Sequence, residues 1–461
     1  MKRFNILFLI VMVLFAITSC EKSETPTPET PDYETEIEIE KTLAPKVEVN
    51  AVQLHALQNS PYMMDQVLDS LLQPFWNTRE VYNETFMFIG QEGEAELLYA
   101  PSEIISIKDY RLKQTYFEGK DFVIEGNVIK RTKNSTMPYL EAEDYWLDEE
   151  AKSAFITENP ESNITFQKVI DNAPGTNEFG LTGERYIKVR ENILPEFYQC
   201  VISYKHNAPF PTNGFFPQSQ GIENFINKLK NDKKASIVFY GDSITEGWTA
   251  SGHKWEWSIE PNMSSWVYMV EDYLEAKFDA KIEVTNEAIG GWTTAQGLAN
   301  YDIKMEGSVP HRHSHESEDR SHETLNPDLL VLGFGMNDWT LDPITYRTMI
   351  SKIVAKYYAA NPNGNVILIS SMPANVDTEI EGNQRFFEKE LEVVAHNYEG
   401  TLVAPVYSAY QQLFTMGKHS RDILSNNINH PNDFGVRVYA QVVLKTLLGS
   451  QYCDESIKVS E

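Results

Sequence analysis

The stretch IVFYGDSITEGW, residues 237–248, decides the fold. Four apolar residues in a row are followed at once by Gly-Asp-Ser. A near-continuous hydrophobic run is typical of a strand that is buried on both faces, as in parallel sheets covered by helices. Functional groups of such sheets gather at the carboxyl ends of the strands. We therefore expect Ser243 to stand at the mouth of an α/β domain.

The sequence downstream repeats this pattern. Further apolar runs are separated by long segments of helical character, and they read IEVTNEAIGG, DLLVLGFGMND, NVILISSMP and TLVAPVY. Hydrophobic strands that alternate with helices indicate a parallel sheet with helices on both faces. Residues 222–449 are therefore predicted to form an α/β domain, which opens with a short amphipathic helix in GIENFINKLKN.

The preceding region has a different pattern. Between residues 80 and 205, short runs such as KQTYFEGKDFVIEGNVIKR and FYQCVISYK are rich in β-branched and aromatic residues and contain glycine breaks. This pattern is typical of antiparallel strands in a sandwich. Residues 46–215 are therefore predicted to form a β-sandwich-like, jelly-roll-like domain that precedes the α/β domain.

The first residues, MKRFNILFLIVMVLFAITSC, have the layout of an export signal. Their ending ITSC resembles a bacterial lipoprotein cleavage box, in which Cys20 becomes the lipid-bearing residue; a plain secretory signal with an incidental cysteine is the alternative. Residues 21–45 are rich in Pro, Thr and Glu and are predicted to be a solvated linker. We expect an exported protein that is tethered to the cell envelope and contacts the membrane only through this anchor.

Composition narrows the classes of partner. The formal net charge is −28, so binding of nucleic acid or of an anionic lipid surface through a basic patch is not expected. Of the three cysteines, Cys200 and Cys453 would remain in the folded part, either as a disulfide or as two buried thiols. No cysteine-based metal motif is present in the sequence.

Candidate site residues follow three of the predicted strands and precede the last helix. They are Ser243, Gly290 with Gly291, Asn337, and His430 in NINHPNDFG. In this order and on these elements they resemble the SGNH (GDSL-type) hydrolase superfamily. The resemblance covers the α/β part and implies a flavodoxin-like sheet, a serine esterase activity, and no cofactor or metal.

The resemblance also implies a role for each of these residues. Ser243 would be the nucleophile and His430 the base that takes its proton, because an imidazole titrates near neutrality. The backbone N–H groups of Ser243 and Gly291 and the side-chain amide of Asn337 would form the oxyanion hole. Glycine at 291 permits close approach of the backbone.

One position departs from the superfamily pattern. An aspartate usually stands three residues before the histidine and orients it, whereas this sequence has Asn427. An amide supplies no negative charge. Three interpretations stay open: a Ser–His dyad steadied by a backbone carbonyl, Asp433 acting from the other side, or a weakened enzyme that serves as a glycan-binding lipoprotein.

Two further features bear on the substrate. Trp248, Trp292 and Trp339 each follow one of the strand-end motifs, and indole faces cover the apolar face of a sugar ring well. We therefore expect removal of small acyl groups, acetyl above all, from a carbohydrate; a lipase, lysophospholipase or thioesterase of the same superfamily is the alternative. A polar insert contains four histidines and is predicted to be a solvated rim rather than a metal site: His311, His313, His315 and His322.

Overall fold

A computed structural model gives the architecture and describes residues 70–173, 176–211, 221–248, 250–252, 259–305 and 325–452. Several sequence predictions lie outside these residues: the export signal with Cys20, the 21–45 linker, the histidine-rich insert and Cys453. Cys200 is described, and it is a buried free thiol. None of the helices in the described ranges combines the length and apolar character that crossing a bilayer would require.

The first part of the described chain is β-rich. Two three-stranded antiparallel sheets have the strand orders β1-β8-β3 and β2-β5-β4, and β6 pairs with β7. The strands are β1 (Glu80–Met87), β2 (Glu94–Glu96), β3 (Pro101–Asp109), β4 (Phe122–Glu125), β5 (Val128–Arg131), β6 (Thr165–Lys168), β7 (Tyr186–Val189) and β8 (Gln199–His206). The antiparallel pairing predicted for this region is thus observed. Short helices lie between the strands: α1 (Ala142–Tyr145), α2 (Glu149–Glu158) and α3 (Ile193–Phe197).

The second part is the predicted α/β domain. Its five strands are all parallel, in the order β10-β9-β11-β12-β13. With β9 counted as the first strand, this is the 2-1-3-4-5 order of flavodoxin-like sheets. The strands are β9 (Lys234–Gly241), β10 (Lys281–Asn286), β11 (Leu329–Gly333), β12 (Asn365–Ile369) and β13 (Thr401–Ala404).

Helices cover both faces of this sheet. They are α4 (Glu223–Asn231), α5 (Ser243–Glu246), α6 (Trp266–Phe278), α7 (Thr294–Met305), α8 (Pro343–Ala360), α9 (Gln384–Asn397), α10 (Val406–Thr415), α11 (Ser420–Ile423) and α12 (Asp433–Leu448). Successive residues of β9 enter different hydrophobic clusters: Ile237 and Phe239 join that of α6 and α12, and Val238 and Tyr240 that of α7, α8 and α9. Burial on both faces explains why the strands are almost uniformly apolar.

Helix α12 connects the two parts of the molecule. All of its residues except Lys445 are buried, which is typical of a helix that is covered on every side. The β-rich part provides the outer cover, and the Arg437 guanidinium donates to the backbone carbonyl of Asn83 on β1 at 2.8 Å. One hydrophobic cluster runs through both parts, from Phe86 on β1 to Val438 on α12. The predicted domain boundary, residues 215–222, falls largely outside the described residues.

Candidate active site

The nucleophile position lies at the end of the central strand. β9 ends at Gly241, and Ser243 is the first residue of α5, whose N-cap Asp242 accepts a hydrogen bond from the Ile244 N–H at 3.1 Å. A Cβ at Gly241 would stand 2.5 Å from the Gly333 carbonyl oxygen on β11. Glycine therefore lets the strand turn sharply against its neighbour, and the turn puts Ser243 at the carboxyl edge of the sheet.

His430 reaches this edge from the other end of the chain. It lies in the loop between α11 and α12, which is closed by a hydrogen bond from the Ser425 N–H to the His430 carbonyl oxygen at 2.8 Å. Its Nε2 is 2.8 Å from Ser243 Oγ, and both residues are buried. The structure thus brings the two sequence-predicted catalytic side chains into hydrogen-bond contact.

The second ring nitrogen of His430 contacts a residue that the sequence reading did not identify. His430 Nδ1 is 2.8 Å from Glu191 Oε1, in the turn between β7 and α3 of the β-rich part. A carboxylate at Nδ1 accepts the Nδ1–H and leaves the lone pair of Nε2 directed at the serine hydroxyl. Serine, histidine and a carboxylate are therefore arranged in series.

Neither residue that the sequence suggested for orienting the histidine contacts the ring. The amide of Asn427 donates to the Lys188 carbonyl oxygen at 3.2 Å and accepts from the Tyr145 hydroxyl at 2.7 Å. Asp433 accepts from both the N–H and the hydroxyl of Ser251, at 2.8 and 2.7 Å. The expectation for Asn427 and Asp433 is corrected on this point, because other groups occupy their polar atoms and Glu191 occupies Nδ1.

The charge around His430 favours its protonated form. Burial lowers the pKa of the imidazole, but the charge and the hydrogen bond of Glu191 raise it, with further contributions from Asp242 and Glu246, and the net shift is upward. An imidazolium that forms during the reaction is therefore stabilised by carboxylates on several sides.

The predicted oxyanion donors lie on three neighbouring loops. A methyl group on Gly290 would stand 3.7 Å from Ser243 Cβ, so this glycine pair borders the nucleophile. The Gly290 N–H donates to Glu246 at 2.5 Å, whereas the Gly291 N–H donates to no group within the described ranges. The Asn337 amide donates one N–H to the Trp292 carbonyl oxygen at 3.0 Å, which leaves its second N–H for a ligand.

We expect Asn337→Ala to reduce kcat by about 10²–10³ with a smaller change in KM, because an oxyanion donor acts mainly on the transition state. Steady-state kinetics on a soluble acetate ester would measure this split. Asn300→Ala is the matched control, since its amide donates to the Gln296 carbonyl oxygen on its own helix, α7. An unchanged kcat in Asn337→Ala would remove this residue from the oxyanion hole.

Buried carboxylates connect the same three loops. Asp242 also accepts from the Met336 N–H at 3.4 Å, and burial raises its pKa to about 7. Asp338 accepts from the N–H and the hydroxyl of Thr294, and burial raises its pKa as well. Sequence reasoning missed both, although each lies directly beside a predicted site residue.

The three tryptophans have different surroundings, and all are half-buried. The indole nitrogen of Trp248 would stand 3.4 Å from a methyl group on Gly290. Trp292 packs edge-on against Tyr240, with ring centroids 6.4 Å apart, and Trp339 accepts from the Asn383 N–H through its carbonyl oxygen. The Trp248 indole thus lies beside Gly290, which borders the nucleophile, whereas Trp292 packs against the core.

The described ranges contain no group of three or more His, Cys, Asp or Glu side chains arranged to hold a metal ion. The histidine-rich insert is outside those ranges.

Comparison with known proteins identifies a hydrolase family that matches the part of the chain containing Ser243 and His430. Residues 239–438 match the model of the GDSL-like Lipase/Acylhydrolase family. The matched segment is less than half of the chain and runs from the end of β9 through β11 and the His430 loop into α12. It confirms the prediction of an SGNH-type serine hydrolase domain in the α/β part. No curated protein matches the sequence.

Several solved structures are similar to a little under half of this chain. Axe2, an acetylxylan esterase from Geobacillus stearothermophilus, is 15% identical over 46% of this chain and 94% of its own, with a TM-score of 0.35. LAE5, an α/β hydrolase enzyme from the metagenome of Lake Arreo, Spain, is 20% identical over 46% and 94%, with a TM-score of 0.35. CEX, a two-domain esterase active on acetylated mannans and co-crystallized with mannopentaose, is 20% identical over 49% and 52%, with a TM-score of 0.35.

Proposed function

We propose that this hydrolase removes small acyl groups, acetyl above all, from a carbohydrate through an acyl-enzyme on Ser243. The observation that carries the serine mechanism is the 2.8 Å contact between Ser243 Oγ and His430 Nε2. The Trp248 indole, which lies beside Gly290 at the border of the nucleophile, supports a sugar as the group that carries the ester. The whole chain's charge of −28 further favours a neutral substrate.

The reaction consists of two acyl transfers. Ser243 Oγ attacks the ester carbonyl while its proton passes to His430 Nε2, and the oxyanion is held by the Ser243 and Gly291 N–H groups and the Asn337 amide. The intermediate collapses, the bond to the sugar oxygen breaks, and the histidine returns its proton to that oxygen. Water then gives a proton to His430 and its hydroxyl to the acyl carbon. The bond between the acyl carbon and Ser243 Oγ breaks, and His430 returns the proton to Oγ, which releases the carboxylic acid and restores the serine.

A panel of esters tests this proposal. We expect kcat/KM to be highest for acetyl and to fall as the acyl chain lengthens in a p-nitrophenyl ester series, and we expect acetate release from acetylated polysaccharides. An activity that rises with acyl length would favour a lipase-type substrate. Retained affinity for glycans without acetate release would favour a binding protein.

Lipid attachment at Cys20 and a location at the cell envelope are proposed from the sequence alone. Both are compatible with an enzyme that acts on an external glycan.

A further inference from the structure

We propose that Glu191, contributed by the β-rich part, is the carboxylate that orients the His430 ring and stabilises its protonated form. Asn427 does not have this role; it helps to hold Glu191 in place. This inference rests on the proposed serine mechanism and adds a positioning residue to it. It makes the β-rich part a component of the catalytic machinery.

The carboxylate is held by two donors on the histidine loop. Glu191 Oε1 lies 2.8 Å from His430 Nδ1 and accepts from Asn426 Nδ2 at 3.1 Å. The other end of the Asn426 side chain, Oδ1, accepts the backbone N–H groups of Ile428, Asn429 and His430, each at 3.0 Å. One buried asparagine therefore fixes both the backbone of the histidine and the position of the carboxylate.

The Asn427 side chain holds the end of β7, the strand that precedes Glu191. Its Nδ2 donates to the carbonyl oxygen of Lys188, on β7 three residues before Glu191, and its Oδ1 accepts from Tyr145 and from Asn375 at 3.3 Å. The backbone of Asn427 has φ 67°, which asparagine adopts more readily than most residues. An aspartate here would direct carboxylate oxygens at the Lys188 carbonyl and lose the donor, so an amide fits this position better than the acid does.

The chain after Glu191 is fastened to the same loop. The Leu194 N–H, in α3, donates to the Ser425 carbonyl oxygen at 3.1 Å. The Gln199 amide donates to the carbonyl oxygens of Arg421 and Leu424, at 2.7 and 2.8 Å. Contacts upstream and downstream thus restrict the turn that carries Glu191 relative to His430, as a preorganised site requires.

The chemistry of this contact follows from charge. The Glu191 side chain accepts the Nδ1–H and lowers the free energy of the imidazolium that forms when Ser243 gives up its proton. The base must be neutral before it can act, so activity rises with pH through the pKa of His430. Glu191 raises that pKa; its removal therefore moves the acid limb of the pH profile to lower pH while the plateau falls.

The test is the pH dependence of kcat/KM for Glu191→Gln, Glu191→Asp and the control Glu196→Gln. The control removes a carboxylate from α3 that pairs with Arg111 and Arg190. We expect Glu191→Gln to lower the plateau by about 10²–10⁴ and to shift the acid limb downward. Glu191→Asp keeps a carboxylate, so its plateau and its acid limb should both lie closer to those of the parent. Glu196→Gln should have the acid limb of the parent.

Asn427→Asp provides a second and independent readout. If Glu191 is the acid, this variant loses the bond to Lys188 and its kcat/KM falls by about tenfold or more. A many-fold increase would show that an acid at 427 is what the enzyme lacks, and it would overturn the proposal.

The proposal is also overturned if Glu191→Gln keeps the parent's plateau and acid limb. That outcome would leave the serine mechanism standing, provided that Ser243→Ala is inactive. Inactivity of the parent on every ester would instead remove the proposed function.

Discussion

Ser243→Ala is expected to reduce kcat by about 10⁵–10⁶, to the level that the oxyanion donors and substrate binding sustain without a nucleophile. Ser243 Oγ is the atom that forms the bond to the acyl group. In the variant this atom is missing, and His430 has no serine proton to accept. Acetate release under single-turnover and steady-state conditions would measure the loss. A fluorophosphonate should label the parent at Ser243 and leave the variant unmodified.

Ser153→Ala is the matched control, because this serine is exposed on α2. It should turn over substrate and react with the phosphonate like the parent. The thermal midpoint of Ser243→Ala should stay close to that of the parent, since the substitution removes one hydroxyl from a small buried side chain. Acetate release by Ser243→Ala at the parent's rate would exclude the serine mechanism.

The sequence was sufficient to predict the α/β part because its signals are local. A strand buried on both faces is apolar throughout, so β9 and β11 could be located, and the topology then predicts that polar residues at their carboxyl ends meet. Ser243 and His430 are 187 positions apart, yet each lies in a short motif that resembles a known family.

Glu191 has no such signal. It lies 239 positions before His430, in a β-like run where a glutamate is ordinary, and no spacing relates it to the histidine loop. Only the packing of the β-rich part against α12 and that loop brings the two together. The available hint was Asn427, because a missing acid at the usual place indicates that the histidine has another partner. The structure shows that Asn427 contacts Lys188, three residues before that partner, Glu191.

A buried ion pair contributes to the same packing. Glu84 on β1 and Lys418, in the loop before α11, are both fully buried, with Lys418 Nζ 2.8 Å from Glu84 Oε1. Lys418 Nζ also donates to the Glu96 carbonyl oxygen at 2.9 Å. The Tyr204 hydroxyl and the Leu98 N–H donate to the Glu84 carboxylate at 2.7 and 2.9 Å. The pair thereby connects two β-sheets to the segment that precedes the histidine loop.

Lys418→Met is expected to lower the free energy of unfolding by about 3–5 kcal/mol, because it leaves the Glu84 carboxylate buried without its counter-charge. Methionine keeps most of the volume of the lysine stem, so lost packing adds little. Denaturant unfolding would report the change as a lower midpoint at an unchanged slope.

The double variant Glu84→Gln, Lys418→Met separates charge from packing. It removes both charges and keeps an amide oxygen for the Leu98 N–H, so it should be more stable than Lys418→Met alone, as replacement of a whole buried pair often costs little. A surface pair supplies the control: Lys356, which pairs with exposed Asp302, should change stability by less than about 1 kcal/mol when it is replaced by methionine. If Lys418→Met unfolds at the parent's midpoint, the pair does not stabilise the junction between β1 and the histidine loop, and the position of Glu191 must then depend on the other contacts between the β-rich part and that loop.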